Sequence, residues 1–432
     1  MEITLIGLFI IPSSVFLAFF NPRHLLCLLI FFSTFTATAV VNLNSFGLQA
    51  GTFIGMLFVA KVLSMIARQR FRLTLSRPHR SILIGFFIFF VIVIAGFIVA
   101  ANRASISFVN LTQLIYLLTG ISIAIATSIY LTLDPGALEP SFNAFFASAF
   151  FVGLWGLYQF VTIHTGIVYW DSLFNNSTSD AAQKFNMLLQ GGEFSRISSV
   201  SVEPSFLART SAFSLTMMIF YYYLNPYKKA TKYLHITFAL TVLMLVLTFS
   251  TTSIAAFFIV VLLVFLFKPL KTLPLILAVG ISATIFLLAN DEYLKVFNIL
   301  TTEKTNTQSY RLRTETIFNA WQGFLSSPLI GNGWETFQAQ DVIFKLLSNT
   351  GILGLLVFLY IYFKAIIGNI SRSRRRQAPS RFIHLSTGLA VLTLLLLDII
   401  SSLSFVFTFM WILLGIAIFT SSYKIESVEY NN

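Results

Sequence analysis

Apolar runs of about 20 residues, each long enough to cross roughly 30 Å of hydrocarbon, recur along this chain. They extend from "MEITLIGLFIIPSSVFLAFF" at its start to "FVFTFMWILLGIAIFTSSY" near its end. A bilayer core holds no water to satisfy backbone groups, so spanning segments of this length must be helices. A membrane barrel would need short strands of alternating polarity, and no such pattern stands out. Charged residues make up 10% of the 432 residues and hydrophobic residues 57%, against about 25% charged in soluble domains. The expected fold is an all-α polytopic integral membrane protein with about 12–13 transmembrane helices.

Hydropathy places spans at 3–20, 24–41, 49–67, 81–101, 108–131, 141–163, 204–224, 234–249, 252–267, 272–289, 345–366, 384–400 and 404–420. Orientation follows from the basic residues. "RQRFRLTLSRPHR" holds five arginines between Arg68 and Arg80. Lys228, Lys229 and Lys232 form a second cluster, Lys268 and Lys271 a third, and Arg372 to Arg381 a fourth. This span count puts all four on one side, which the positive-inside rule makes the cytoplasm. The net charge of +12 is thereby assigned to topology and not to a nucleic-acid surface. Cys27 is the only cysteine, which excludes an intrachain disulfide. Glu2 occupies the place where a signal peptide carries basic residues, so the first run reads as a retained helix.

The chain divides into an N-terminal bundle of about six spans (1–163), a first large outer loop (164–203), central spans (204–289), a second large outer loop (290–344), and C-terminal spans with a cytoplasmic tail (345–432). Loops of this length in a compact protein are usually functional. The first ends in "RISSVSVEPSFLAR". Pro204 suits the first turn of a helix, where its missing N–H costs nothing, so Glu203 is expected at or beside the N-cap. The positive helix end there favours a carboxylate or an incoming phosphate. Ser205 and Arg209 share a face. A guanidinium this far into a span must meet protein or a wet cavity, and pairing with Glu203 is the plain structural reading.

In the second loop, the spacing of Ile317, Ala320, Trp321 and Phe324 predicts an amphipathic helix over 309–326, beginning at Arg311 and Arg313. Such a helix can lie at the membrane surface with Trp321 and Trp334 near the headgroups. In "PLIGNGW" after it, Gly331 and Gly333 would let backbone approach a ligand closely. Arg196, Arg209, Arg311 and Arg313 therefore share one side of the membrane, and arginine's planar fork suits phosphate. There is no nucleotide-binding loop and no cluster with metal-ligand spacing. His164, His235 and His384 stand apart near span ends and read as structural. Lys61 and Asp398 lie within spans, as a helix-to-helix pair or a proton path.

These residues resemble the O-antigen polymerase and ligase superfamily. The likeness runs from Arg313 through Ala320, Phe324 and the 328–333 turn to "LLSNTGILGLLVFLY" (Leu346 to Tyr360). "FSTTSIAAFF" (Phe249 to Phe258) and "RISSVSVEPSFLA" add to it, covering roughly residues 150–360. The resemblance implies a GT-C-like glycosyltransferase of the bacterial inner membrane, acting at its periplasmic face without metal or other cofactor. Its substrate would be an undecaprenyl-pyrophosphate-linked glycan, with membrane lipid and a chain-length regulator protein as partners and no nucleic acid. Ligases typically carry a histidine before the "GILG" segment; this chain has Gln340 and Asp341 there. That favours a polymerase of O-antigen, capsule or exopolysaccharide units. A ligase, another lipid-linked glycan transferase, or a flippase are the alternatives.

The implied displacement needs charge stabilisation at the departing pyrophosphate and benefits from a base near the acceptor hydroxyl. Glu203, Arg196 and Arg313 are the candidate catalytic residues. Arg209, Arg311, Ser205, Gly331, Gly333 and Asp341 are candidates for binding pyrophosphate and glycan. Glu203 is the first candidate base, with Asp341 and Glu193 behind it, or it serves only to orient Arg196 or Arg209.

Overall fold

The structure, a computed structural model, describes residues 2–43, 46–69, 75–102, 107–177, 196–267, 308–375, 380–401 and 405–423, together with residues 298 and 305. The described helices are α1 (Gly7–Phe20), α2 (Pro22–Ser33), α3 (Ala50–Gln69), α4 (Arg77–Asn102), α5 (Phe108–Leu133), α6 (Leu138–Thr165), α7 (Asp171–Phe174), α8 (Pro204–Met218), α9 (Lys232–Leu247), α10 (Thr251–Phe267), α11 (Gln308–Ser326), α12 (Val342–Arg375), α13 (Ser380–Ile400) and α14 (Thr408–Ser422). Among the described residues, six helical stretches are long and apolar enough to cross a membrane, and five shorter apolar helices accompany them. The fold is that of an all-α multi-pass membrane protein. Phe87 and Phe16 are among the large apolar side chains left exposed on its helices, where a bilayer supplies the apolar solvent.

The expected second span, 24–41, is not one helix. Helix α2 stops at Ser33, and residues Ala39–Leu43 form strand β2 of a three-stranded antiparallel sheet with β1 (Glu2–Ile3) and β3 (Phe46–Gln49). The residues Thr36, Thr38, Val40 and Val41 are β-branched and buried, which suits strand packing. A hydropathy window cannot tell a buried strand from a helix of similar apolarity. The expected span 272–289 lies outside the described residues.

Helix directions divide the bundle into two ends. Helix α4 runs antiparallel to α12, with Ser81 bonded to Tyr360 near one end and Gly96 beside the Asn349 carbonyl near the other. Helix α8 likewise opposes α13: Arg209 meets Asp398, and Thr216 meets Thr393 at 3.1 Å. Consequently Arg77, Lys228, Arg372 and Arg381 gather at one end. There Lys228 pairs with Glu139, Arg23 with Asp134 at 2.8 Å, and Arg372 donates to the Ser422 and Tyr423 carbonyls at the C-terminus of α14. A cation on these orphan carbonyls stabilises the helix end. Helix α8 and its π-helical continuation to Tyr223 are about 20 residues, so Glu203 lies roughly 30 Å from that end.

Candidate active site

Glu203 is the N-cap of α8 in extended conformation, with Pro204 as the first helical residue. The segment before it is tied down by backbone bonds that the sequence does not announce. The Ser198 and Ser199 N–H groups donate to Gln159 Oε1 at 3.1 and 2.7 Å. Val202 N–H donates to Thr36 Oγ1 at 3.1 Å, and Ala37 N–H to the Val200 carbonyl at 3.0 Å. Asn175 donates to the Ser199 carbonyl, whose residue takes the left-handed φ of 53°. Helix α6, the strand entrance and the first outer loop thus hold Glu203 in place. Ser205 Oγ donates to Glu203 Oε2 at 3.1 Å.

Three arginines feel the Glu203 charge: Arg196, Arg209 and Arg313. They come from the first loop, from inside α8 and from α11. Burial is the main influence on the Arg196 and Arg313 guanidinium groups and pulls both below their usual range, with Glu203 opposing it. A guanidinium so shifted still stays protonated at neutral pH. Arg209 is 1% exposed, donates to Ser401 Oγ at 2.7 Å, stands 3.6 Å from Asp398 Oδ1 and lies over the Phe206 ring. Arg313 donates from Nε to Gln340 Oε1 at 3.1 Å and from Nη1 to the Ile400 carbonyl at 3.3 Å. The last turn of α13 therefore grips two arginines from distant parts of the chain, where its carbonyls carry the negative end of the helix.

Asp341 adjoins this group. Its Oδ1 caps α12 by accepting the Phe344 N–H at 2.8 Å, and its buried Oδ2 has no hydrogen-bond partner among the described residues. Burial raises the carboxyl above its ordinary range, opposed by the first-turn N–H groups and by the Arg313 charge. Arg311, two residues before Arg313, is exposed on the other side of α11 and does not join the cluster. The formal charges of Arg196, Arg209, Arg313, Glu203, Asp341 and Asp398 cancel.

Gly331 and Gly333 meet protein backbone, not an open site. Their φ values are +72° and +97°. The N–H of Gly333 donates to the Asn349 carbonyl and that of Asn332 to the Ser348 carbonyl. A Cβ on Gly331 would lie 2.3 Å from the Asn349 carbonyl carbon, and one on Gly333 2.5 Å from Ala100 Cβ. Facing them, Gly351 breaks α12 with φ 65° and ψ −172°, which frees the Ile352 and Leu353 N–H groups for the Pro328 and Leu329 carbonyls. Trp334, expected near headgroups, is instead buried edge-on against Phe405, and its carbonyl accepts from Asn110.

Lys61 and Asp398 do not meet. Lys61 donates to the Phe19 carbonyl at 3.1 Å, whereas Asp398 faces Arg209. His164 bonds within its own helix, His235 with Tyr223 and His384 with Asn369. Glu193 lies outside the described residues. Reading the sequence missed Gln340 and Ser401 as arginine partners, and a buried pair at the same end, Lys345 with Glu335 at 2.9 Å. The only signal for Ser401 was Asp398 and Arg209, each isolated in its own apolar run.

Residues 236–359 match the family model described as O-antigen ligase. The match runs from α9 to the first half of α12 and includes Arg313, the glycine turn and Asp341; Arg196, Glu203, Arg209 and Asp398 fall outside it. No curated protein matches the chain.

Proposed function

We propose a polymerase reaction for this chain, which belongs to the O-antigen ligase and polymerase superfamily and shares that superfamily's handling of lipid-linked glycans. It joins undecaprenyl-pyrophosphate-linked oligosaccharide repeat units at the outer face of the bacterial cytoplasmic membrane. One observation carries this reading. The charge of Glu203 acts on Arg196, Arg209 and Arg313, which gather at the bundle end opposite the basic clusters. The positive-inside rule assigns those clusters to the cytoplasm, so the arginines face the periplasm.

In the reaction, an acceptor sugar hydroxyl oxygen bonds to the anomeric carbon of the donor glycan. The bond from that carbon to the pyrophosphate oxygen breaks, and its electron pair leaves with the lipid pyrophosphate. Arg196 and Arg313 stabilise the charge that develops there, a kind of contact whose loss typically costs about 10²–10³ in rate. Arg209, held by Asp398 and Ser401, fixes the floor of the site. The hydroxyl proton passes to a carboxylate. Asp341 is the better placed, because burial raises its affinity for a proton and Oδ2 accepts no bond from the described residues. A pyrophosphate arriving in a cluster of balanced charge favours this protonation further. Glu203 keeps the three arginines in register.

The same superfamily includes ligases that pass the glycan to a lipid A core. Gln340 and Asp341, standing where ligases typically carry histidine, favour polymerisation. Purified protein supplied with its native undecaprenyl-pyrophosphate repeat unit, without ATP or nucleotide sugar, is expected to yield a glycan ladder on a gel. Folded Arg196→Ala, Glu203→Gln and Arg313→Ala variants are expected to lose it. If the wild type makes no ladder from intact substrate, the polymerase reading fails, and transfer to lipid A core is the next assay.

A further inference from the structure

Helix α12 runs from Asp341 to the basic end of the bundle and turns one side to lipid. Leu353, Leu356, Phe363 and Ile367 fall within about 80° of arc at 100° per residue, and all four are exposed. Arg374 lies in the same sector and is exposed as well. From Leu353 to Arg374 the helix rises about 31 Å, close to the hydrocarbon thickness of a bilayer. Arg374 therefore ends the lipid-facing side at its cytoplasmic boundary.

The last turns of that side are hollow. Ile367, Ile370, Ser371 and Arg374 line an open recess of about 430 Å³, a size that falls in the range of small-molecule sites. Ile370 packs half-buried against the core and Ile367 is exposed, so the floor is apolar. Arg374 shares this recess with Ile367, two turns earlier. Its side chain thus leans back toward the N-terminal turn, the usual helical direction, along the hydrocarbon side. Arg372 donates to the Ser422 and Tyr423 carbonyls, whereas the side chains of Arg374 and Ser371 bond to no group among the described residues. A guanidinium laid along an apolar wall needs an anion, and at this depth the bilayer supplies one in the lipid phosphate.

We propose that this recess seats one anionic phospholipid of the cytoplasmic leaflet. Its phosphate accepts from the Arg374 fork, which suits that group, and from Ser371 Oγ. The acyl methylenes next to the headgroup lie on Ile367 and Ile370. Half the site is apolar, so a soluble phosphate would leave that half to water. A zwitterionic lipid would bring its ammonium group against the arginines of "RSRRR" (Arg372 to Arg376), where basic clusters favour anionic headgroups. The seat lies at the opposite end of the bundle from the arginines around Glu203 and does not depend on which glycan is transferred there.

Full-length protein, stripped of lipid in nonionic detergent, tests this by titration with phosphatidylglycerol or phosphatidylethanolamine of the same acyl chains. Native mass spectrometry counts the lipid bound. The protein is expected to bind one phosphatidylglycerol at least about fivefold more tightly than phosphatidylethanolamine, the preference that one surface cation confers. Arg374→Gln should remove the preference, and Arg381→Gln, which deletes an exposed cation at the same end, should keep it. Ile367→Trp, a change at an exposed position that crowds the recess and leaves its charge, should weaken phosphatidylglycerol binding severalfold. Excess glycerol phosphate, the headgroup without acyl chains, should not compete. Equal affinity for the two lipids, or equal losses from Arg374→Gln and Arg381→Gln, would mean diffuse attraction to the basic end and overturn the proposal. Competition by glycerol phosphate, or undiminished binding to Ile367→Trp, would overturn it too, by showing that the apolar floor takes no part.

Discussion

Replacing Asp398 with Asn would leave the Arg209 guanidinium inside the bundle with its nearest negative charge removed. The pair is 3.6 Å apart and both side chains are almost wholly buried. Coulomb's law at that separation, with an effective dielectric of about 20, gives an attraction of about 4–5 kcal/mol. The asparagine amide keeps part of it as a dipole, and Ser401 Oγ still accepts from Arg209. The expected loss of stability is therefore about 3 kcal/mol, at the lower edge of the range for breaking a buried ion pair. Arg209→Met, which strands Asp398 instead, should cost a similar amount. The double variant Arg209→Met/Asp398→Leu strands neither charge and should lose about 1 kcal/mol or less, since apolar replacement of a buried pair is often neutral. Equilibrium unfolding in mixed detergent micelles, followed through the buried tryptophans Trp334 and Trp411, measures all three. The double variant should be stable and still inactive, because Arg209 is gone. If the two single losses add in the double variant to within about 0.5 kcal/mol, the two groups are not coupled and the account of how α13 holds Arg209 is wrong.

Three further outcomes follow from the same geometry. Within "RLR", Arg313→Ala should lower kcat/KM by about 10²–10³ while exposed Arg311→Ala changes it by less than about threefold; equal losses would place the wrong arginine in the site. Asp341 titrates above its ordinary carboxylate value of 3.8, so activity should fall as pH drops through that raised value and Asp341→Asn should erase the acid limb; a limb that persists in the variant assigns the proton to another group. The sign for stability is opposite: a carboxyl that binds its proton more tightly when folded favours folding at low pH, and this contribution is lost as pH rises through the folded value. Gly351→Ala should destabilise by several kcal/mol, since its φ and ψ are open essentially to glycine alone and a Cβ would meet the Leu329 carbonyl oxygen at 2.2 Å. Gly166→Ala, with open space around a φ of +71°, should cost only about 1 kcal/mol; thermal unfolding of the two variants side by side decides whether the turn is held as described.

Much was legible from local chemistry. Apolar length dictated helices, and the expected amphipathic segment 309–326 became α11 at Gln308–Ser326 because its spacing is a property of the helix alone. Pro204 placed the start of α8 for the same reason: a residue without an N–H is tolerated only in the first turn. The expectation for residues 24–41 did not hold, because apolarity records burial and not backbone conformation. Gly331 and Gly333 signalled a close backbone approach correctly in kind, yet what approaches is α4 and the broken start of α12.

Partnership was decided only in three dimensions. In the sequence, Arg209 and Asp398 are 189 positions apart, each an anomaly in its own apolar run, and Arg313 has no visible tie to the carbonyl of Ile400. Their meeting depends on α8 and α13 running antiparallel and on α11 folding back over the end of α13. Periodicity and composition act over a few residues and so determine which helices form and which face of each is apolar. Which charges share a buried site depends on how those helices pack, where a low dielectric makes each charge costly unless another, distant in sequence, is brought beside it.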